Sequence, residues 1–376
     1  MTYRHRLMAA LSALSLAACS QAAEYRLETW AEGLDQPWSI AFLPDGSALV
    51  TELAGRLRPI SADGRVGEPV ANVPAAYYAG QGGLFDVVLH PDFANNRLVY
   101  LAYAEGTPRD NGTAIARGRL AGSVSGVASD PASALALQDV EVIFRNFSRK
   151  DTAVHYGGRM AFLADGTLLL TTGDGFNYRE EAQNVDSGLG KVLRMNDDGS
   201  AAAGNPFPGS PYVYSYGHRN PQGLAVSGRG EIWLHEHGPR GGDELNRIEA
   251  GVNYGWPAVT YGVDYSGAVI SPYTELPGMA GPEHYWVPSI APSGLAVYEG
   301  GLFPEWRGDL LLGALVGRGV RRLDLSGAKV PAEVVAEESL FEQLAARIRD
   351  VRVGPGGALY VLTPDRVVRV TPGQGG

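Results

Sequence analysis

The stretch RMAFLADGTLLLTTGDG (159–175) runs from an apolar strand through a tight D-G turn into a second strand. The same unit recurs in SIAFLPDGSALVTE (39–52) and DVVLHPDFANNRLVYLAYA (86–104). It returns in GLAVSGRGEIWLHEHG (223–238), GLAVYEGGLFPEWRGDLLLGAL (294–315) and DVRVGPGGALYVLTPD (350–365). The turns sit near residues 45, 92, 165, 229, 305 and 356, at irregular spacings of about 47 to 76 residues. Self-similarity on this scale belongs to solenoids, propellers and arrays, and a hairpin-based unit selects the propeller. The expected fold is therefore all-β, a six-bladed β-propeller, with a β-sandwich or fewer, larger sheets as the competing arrangement. YRLETW (25–30) and RVVRVTP (366–372) both read as strands that could share one blade and close the ring. The long stretches 105–150 and 262–290 are expected as loops over the binding face.

Composition agrees with a turn-rich β architecture. Glycine accounts for 50 of 376 residues, about 13%, against a typical usage of ~7%. There are 24 prolines and no collagen-like period. With 45% apolar and 19% charged residues there is material for a sizeable core and no case for global disorder. The 31 basic and 41 acidic residues give a net charge of −10, which argues against a generic nucleic-acid binder.

The chain opens with Arg4 and Arg6, an apolar run from Leu7 to Ala18, and its single cysteine, Cys19. That pattern reads as a secretory signal over residues 1–18, too short to span a membrane comfortably. Leu16-Ala17-Ala18-Cys19 resembles a bacterial lipobox, which would place a lipid anchor on Cys19 and the protein at the periplasmic outer membrane. Cleavage near Ala22 or Ala23, giving a free exported protein, is the other reading. Residues 24–373 are then one catalytic propeller. A lone cysteine also excludes an intramolecular disulfide and a Cys-based zinc site.

Five glycine-flanked segments carry the polar chemistry: AGQGGLFDVVLHPDF (79–93), HYGGRM (155–160), YGHRNPQGLAV (216–226), HEHGPRGGDELN (235–246) with GVNYGWP (251–257), and ARIRDV (346–351). Glycine lets backbone approach a ligand closely. His155 has no neighbouring Ser or Cys nucleophile; it reads as a general base working near neutral pH, favoured by the adjoining Gly157-Gly158-Arg159, or as a structural hydrogen-bonder, the commoner role of a lone histidine. His90, at a repeat turn, reads as structural. His235 and His237 at i, i+2, with His218, lack an HExxH pattern or a fixed third ligand, which disfavours zinc. Gly238-Pro239, followed by Asp243 and Glu244, offers oxygen-only ligation of the kind a hard cation such as Ca²⁺ takes, although acidic loops are commonly just solvated. Arg219, with Arg347 and Arg349 at i, i+2 on an expected strand, forms a cationic set suited to carboxylates.

In this order the motifs resemble the soluble aldose sugar dehydrogenases of the glucose/sorbosone dehydrogenase family, which use pyrroloquinoline quinone (PQQ). The resemblance runs from about Tyr25 to Pro372 and rests most firmly on GHRNPQG (217–223) and HYGGR (155–159). It implies His155 as catalytic base and Gln81 as a residue on the PQQ and substrate side. It implies PQQ contacts from Arg219 and Asn220, a pocket position for Tyr261, and a carboxylate clamp from Arg347 and Arg349. Gly238 and Pro239 would give carbonyls to the calcium that holds PQQ, and Glu244 and Tyr254 would ligate a second, structural calcium. Val316 stands where soluble glucose dehydrogenases carry a lysine, so Arg318 or backbone at Ala314 and Leu315 would have to serve instead. His237 stands in place of a glutamine.

The implied reaction is oxidation of an aldose at C1 to the aldonolactone. His155 takes the anomeric proton as hydride passes to PQQ C5, with Arg219 and Ca²⁺ offsetting charge. An external acceptor, quinone or cytochrome, removes the electrons, and the protein acts as monomer or homodimer with no nucleic-acid partner. A calcium-dependent propeller lactonase would have no use for Arg347 and Arg349, and a non-catalytic binding scaffold would have none for His155.

Overall fold

The computed structural model describes residues 25–124, 135–325 and 333–373. Cys19 and the expected signal lie outside the described residues. Strand β1 (Tyr25–Glu32) precedes six antiparallel sheets. The first sheet holds β2 (Pro37–Phe42), β3 (Ala48–Glu52) and β4 (Arg56–Ile60). The second holds β5 (Leu84–Leu89), β6 (Leu98–Thr107), β7 (Asp110–Ala121) and β8 (Ala136–Arg145), and the third β9 (Met160–Phe162), β10 (Leu168–Thr172), β11 (Lys191–Met195) and β12 (Val213–Tyr216). The fourth is β13 (Pro221–Val226), β14 (Ile232–Glu236), β15 (Asp243–Ile248) and β16 (His284–Trp286); the fifth is β17 (Pro292–Val297), β18 (Leu310–Ala314), β19 (Gly319–Leu325) and β20 (Val334–Leu340). The sixth takes β21 (Asp350–Val353), β22 (Leu359–Leu362) and β23 (Arg366–Pro372), and β1 completes it on the outside.

The expected six-bladed propeller is what forms. Each of the six turns read from sequence joins the first strand of a blade to its second. The two terminal strands pair as anticipated, with Leu27 opposite Val370, so the start and end of the ring are hydrogen-bonded in one sheet.

Why the second strands are apolar on both faces follows from the ring. Side chains alternate across a strand, and here both faces meet a neighbouring blade. Leu168 and Leu170 pack toward the second blade while Leu169, between them, packs toward the fourth. The buried apolar residues fall into clusters at the six blade junctions, the sixth-to-first junction included.

The axis is polar and closed. The fully buried Arg159 guanidinium lies 3.2 Å from Asp350 Oδ1, and its face covers the Trp38 ring at 3.9 Å. Arg352 reaches Asp350 at 2.9 Å and Asp86 at 3.2 Å, while Ser39 Oγ and the Met160 amide donate to Asp86. Charges from the second, third and sixth blades thus neutralise one another at the centre.

Two expectations are corrected. The stretch 105–150 is not a loop: it contains β7 and β8, with β7 joined to β6 through a tight turn at Pro108 and Arg109. The outer strand β8 is largely exposed, so its side chains carry no strand-like apolar alternation. The stretch 262–290 is mostly loop, with only the short β16 in it. Arg347 and Arg349 are not on a strand either; they occupy the extended segment leading into Asp350, where β21 begins.

Candidate active site

Residues just before the first strands and just after the second strands converge at one end of the axis. They line a cavity of about 290 Å³ to which all six blades contribute. Gln36 and Trp38 come from the first blade, Gln81 and Phe85 from the second, Tyr156 and Gly157 from the third. Asn220, Gln222 and His237 come from the fourth, Ala291 and Leu315 from the fifth, Arg347 and Arg349 from the sixth. Gly157 shows why glycine is needed at this rim: at φ 69° a Cβ would sit 2.6 Å from the Thr171 carbonyl.

The cavity is cationic. Arg349 is pushed down to about 10 by burial, with the like charges of Arg159 and Arg347 adding and Asp350 opposing. Its Nη1 donates to Ser293 Oγ at 3.3 Å. Among the described residues no carboxylate lies within ion-pair distance of Arg219, Arg347 or Arg349, and no Asp or Glu lines the cavity. His237 adds no charge: burial holds its pKa down to about 3 and its Nε2 donates to the Pro292 carbonyl.

A second cavity, of about 310 Å³, opens beside the first and contains His155, Asp174, Phe176, Arg219 and Trp256. His155 is buried and stands at φ 51°, a left-handed conformation that costs energy for a residue with a side chain. Its amide donates to Gln81 Oε1 at 2.8 Å, which links the two cavities. Its Nδ1 lies 2.7 Å from Asp174 Oδ1. A carboxylate there accepts the Nδ1 proton and leaves the Nε2 lone pair as the basic site. Burial lowers the His155 pKa, Asp174 opposes that shift, and Arg219 and Lys150 add to it. Burial alone would raise Asp174, but the His155 contact, Arg219 and the Phe176 amide hold it below the usual range. The Trp256 indole N–H donates to Asp174 Oδ2 at 2.8 Å and fixes the carboxylate from the other side. The result is a neutral, oriented imidazole, the state a general base needs.

Arg219 sits between the cavities. Its Nη1 donates to the His237 carbonyl at 3.0 Å and the Gly238 carbonyl at 2.6 Å. Its Nε is buried with no hydrogen-bond partner among the described residues, an orphan donor that an anion would satisfy. Of the two backbone carbonyls expected to hold calcium, that of Gly238 thus faces a guanidinium here. Gly238 is irreplaceable by size, since a Cβ would lie 2.2 Å from the Gly242 carbonyl.

The Glu244 and Tyr254 pair is brought together through two intermediaries. Glu244 stands opposite Glu236 across β14 and β15, and Glu236 bonds His218 Nδ1 at 2.9 Å. The His218 ring stacks on Tyr254 at 4.9 Å. Burial and the Glu236 charge raise the Glu244 pKa well above its ordinary value. The Tyr254 hydroxyl itself is committed, donating to the Arg247 carbonyl and accepting from the Glu249 amide.

Three expected residues go elsewhere. Tyr261 stacks on Tyr285 with ring centroids 4.0 Å apart and lines neither cavity. Ala314 is fully buried in the fifth blade, its carbonyl accepting from the Ile348 amide, and only Leu315 reaches the cavity. Val316 and Arg318 are exposed and line neither cavity. His235 and His90 are structural: His235 Nε2 donates to the Gly294 carbonyl, and His90 Nδ1 accepts from the Asp92 amide.

Asp174 and Trp256 line the second cavity and orient His155, and the motif reading passed over both. The signal for Asp174 lay in the repeat. TE (51–52) and HE (235–236) end the second strands of their units on an acid, and in TTGDG (171–175) the acid, Asp174, falls two residues past the strand end at Thr172.

Residues 34–370 match the model of the glucose/sorbosone dehydrogenase family. The chain belongs to that family. It is 39% identical over 375 residues to the aldose sugar dehydrogenase YliI of Escherichia coli K12, covering 96% of this chain and 97% of that one. A crystal structure of a glucose dehydrogenase superposes with a TM-score of 0.84 at 43% identity, covering 93% of this chain and all of the other. The PQQ-bound aldose sugar dehydrogenase of Streptomyces coelicolor superposes with a TM-score of 0.75 at 31% identity, covering 93% and 99% of the two chains. Family membership turns the open question from fold to chemistry: which groups here fit a tricarboxylate quinone and a hard cation.

The quinone fits. Two arginines without carboxylate partners, the buried orphan Nε of Arg219 and a cavity of this volume suit a flat polyanion. Among the described residues no three His, Cys, Asp or Glu are grouped to hold a metal ion; Glu244 faces Glu236 across the sheet, and burial with that like charge raises its pKa. At Gly238 the oxygen donors are of the right kind, but the Gly238 carbonyl is engaged by Arg219.

Proposed function

We propose that the protein is a PQQ- and calcium-dependent aldose sugar dehydrogenase. The observation that carries this reading is the adjacency of a neutral, Asp174-oriented His155 to a cavity whose arginines lack carboxylate partners. Arg347 and Arg349 would hold the PQQ carboxylates, with Asn220, Gln81 and Leu315 on the cavity wall. Glu244 and the Tyr254 segment would hold a structural calcium, and Gly238 and Pro239 would give carbonyls to the one at the cofactor. When bound, PQQ supplies a quinone that accepts hydride from C1 of the sugar, and calcium polarises it.

The chain's own residues do the rest. His155 Nε2 takes the proton of the anomeric hydroxyl, which converts the hemiacetal to the lactone as C1 loses its hydride. Such general-base help is worth typically ~10²–10⁴-fold. Asp174 stabilises the imidazolium that forms, and Arg219 places positive charge where the oxyanion develops. The electrons leave to an external quinone or cytochrome. The relatives' names, which specify aldose and glucose as substrates, support this reading over a lactonase.

We place the mature protein outside the cytoplasm, anchored through Cys19 to the outer membrane as a monomer or homodimer. Among the described residues no helix is long and apolar enough to cross a membrane. Mass spectrometry of the mature N-terminus shows either a lipidated cysteine or cleavage beyond it. For the activity, purified protein is reconstituted with PQQ and Ca²⁺ and dye reduction is followed with a panel of aldoses. Reduction that needs both additions and disappears in His155→Ala is expected; full activity in that variant overturns the assignment of the base.

A further inference from the structure

Behind His155 lies a buried amine that the proposed reaction does not use. Lys150 is 3% exposed, and its Nζ donates to three oxygens: the Thr152 carbonyl at 2.6 Å, the Val154 carbonyl at 2.8 Å and Asn111 Oδ1 at 3.3 Å. Those three acceptors use all the protons of an ammonium. The same Nζ lies 3.4 Å from the centre of the Tyr156 ring. Its backbone is paired with Asn111 in both directions at 2.9 Å, which anchors the lysine to the start of β7.

What the amine grips is the segment that carries the base. Residues 151–159 form no helix or strand, yet within them His155 must be held at φ 51°. A left-handed residue with a side chain persists only where its surroundings over-determine it. The carbonyls of Thr152 and Val154 converge on one cation, and Thr152 Oγ1 ties the same segment to the Gly175 carbonyl, next to Asp174. Gly175 accommodates the lysine stem: a Cβ there would lie 2.8 Å from Lys150 Cδ. One side chain therefore touches both flanks of the His155–Asp174 pair without touching either of its members.

We propose that Lys150 is the positioning residue of the catalytic base, fixing the His155 backbone through the Thr152 and Val154 carbonyls and weighting its protonation by the nearby positive charge. The role rests on the reading of His155 as a base, but it is testable without cofactor. Lys150 is faced by Asp174, Asp151, Arg149 and Tyr156, and His155 by Asp174, Arg219 and Lys150. Burial lowers the Lys150 pKa to about 7, with Asp174 and Asp151 opposing and Arg149 assisting. A positive charge at Lys150 lowers the His155 pKa, so removing it raises that pKa; removing the Asp174 charge lowers it.

The test compares wild type, Lys150→Met and Asp174→Asn in two measurements. The first is the NMR titration of the His155 imidazole in cofactor-free protein. The expected result is a His155 pKa shifted upward in Lys150→Met and downward in Asp174→Asn. The second is steady-state kinetics of the PQQ-loaded enzyme. There Lys150→Met should lower kcat by roughly tenfold or more, with the sugar KM within about twofold. If Lys150→Met does not fold, Lys150→Gln replaces it, and the same directions are expected. Lys150→Ala should recover kcat on addition of propylammonium, and not of propanol. A His155 titration and kcat unchanged from wild type in a folded Lys150 variant overturn the proposal. A dehydrogenase assay that is silent in wild type leaves the titration to decide it.

Discussion

Two buried ionic clusters lie close to the axis of this propeller and are built on opposite plans. In the inner one, Arg159 and Arg352 share Asp86 and Asp350, and the charges close on themselves. In the outer one, Arg347 and Arg349 line a cavity with no carboxylate on its wall, while Arg219 lines the neighbouring cavity, where Asp174 is spent on His155. A closed cluster holds blades together. An open one stores unbalanced charge at a cost in stability and is balanced only when an anion arrives.

The comparison can be broken most sharply at the base. His155→Ala should lower kcat by ~10²–10⁴-fold, while the melting temperature and PQQ binding stay near wild type. A loss of PQQ binding as large as the loss of kcat would mean that His155 belongs to the cofactor clamp. Next in size, Asp350→Asn should destabilise the protein by ~3–5 kcal/mol, because it leaves buried arginines without their partner. Chemical denaturation measures this, and an unchanged midpoint would show that the inner cluster is not closed. Arg349→Met makes the reverse case. It should weaken PQQ binding by ~10–100-fold, the worth of about one charge-assisted hydrogen bond, and leave the cofactor-free protein as stable as wild type or more so. Calorimetric titration of PQQ together with a melt separates the two effects.

The smallest effect is on pH dependence. The base works when neutral, so activity is lost as pH falls through the His155 pKa. Because burial lowers that pKa, the acid limb of the kcat profile should lie below pH 6.5, the ordinary histidine value. An acid limb above 6.5 would show that Asp174 outweighs burial.

Much of the fold is legible in the sequence. The turns near residues 45 to 356 mark every first hairpin, because D-G, G-G and related polar turn clusters have few other uses between apolar runs. His155, Arg347 and Arg349 stand out because glycine neighbours and i, i+2 spacing are local signals, while Gln81 rests on the family resemblance. What escaped was set by distance in the chain. Asp174 meets His155 across 19 residues, and Trp256 meets Asp174 across 82. Lys150 carries no local signal either, since nothing in its neighbouring residues tells that its segment folds inward. Strand β8 was read as loop because its exposed face is polar, and Tyr261 was placed at the cavity although its ring pairs with Tyr285, 24 positions on.

The central claim is that the open cluster exists to hold PQQ beside His155. Titrating PQQ into cofactor-free protein at saturating Ca²⁺, and reading aldose-dependent dye reduction at each step, tests it directly. Activity that rises linearly and saturates at equimolar PQQ is predicted, with Arg347→Met/Arg349→Met displaced to far higher PQQ. No dye reduction with any aldose at any PQQ concentration, or a double variant that titrates like wild type, would contradict it.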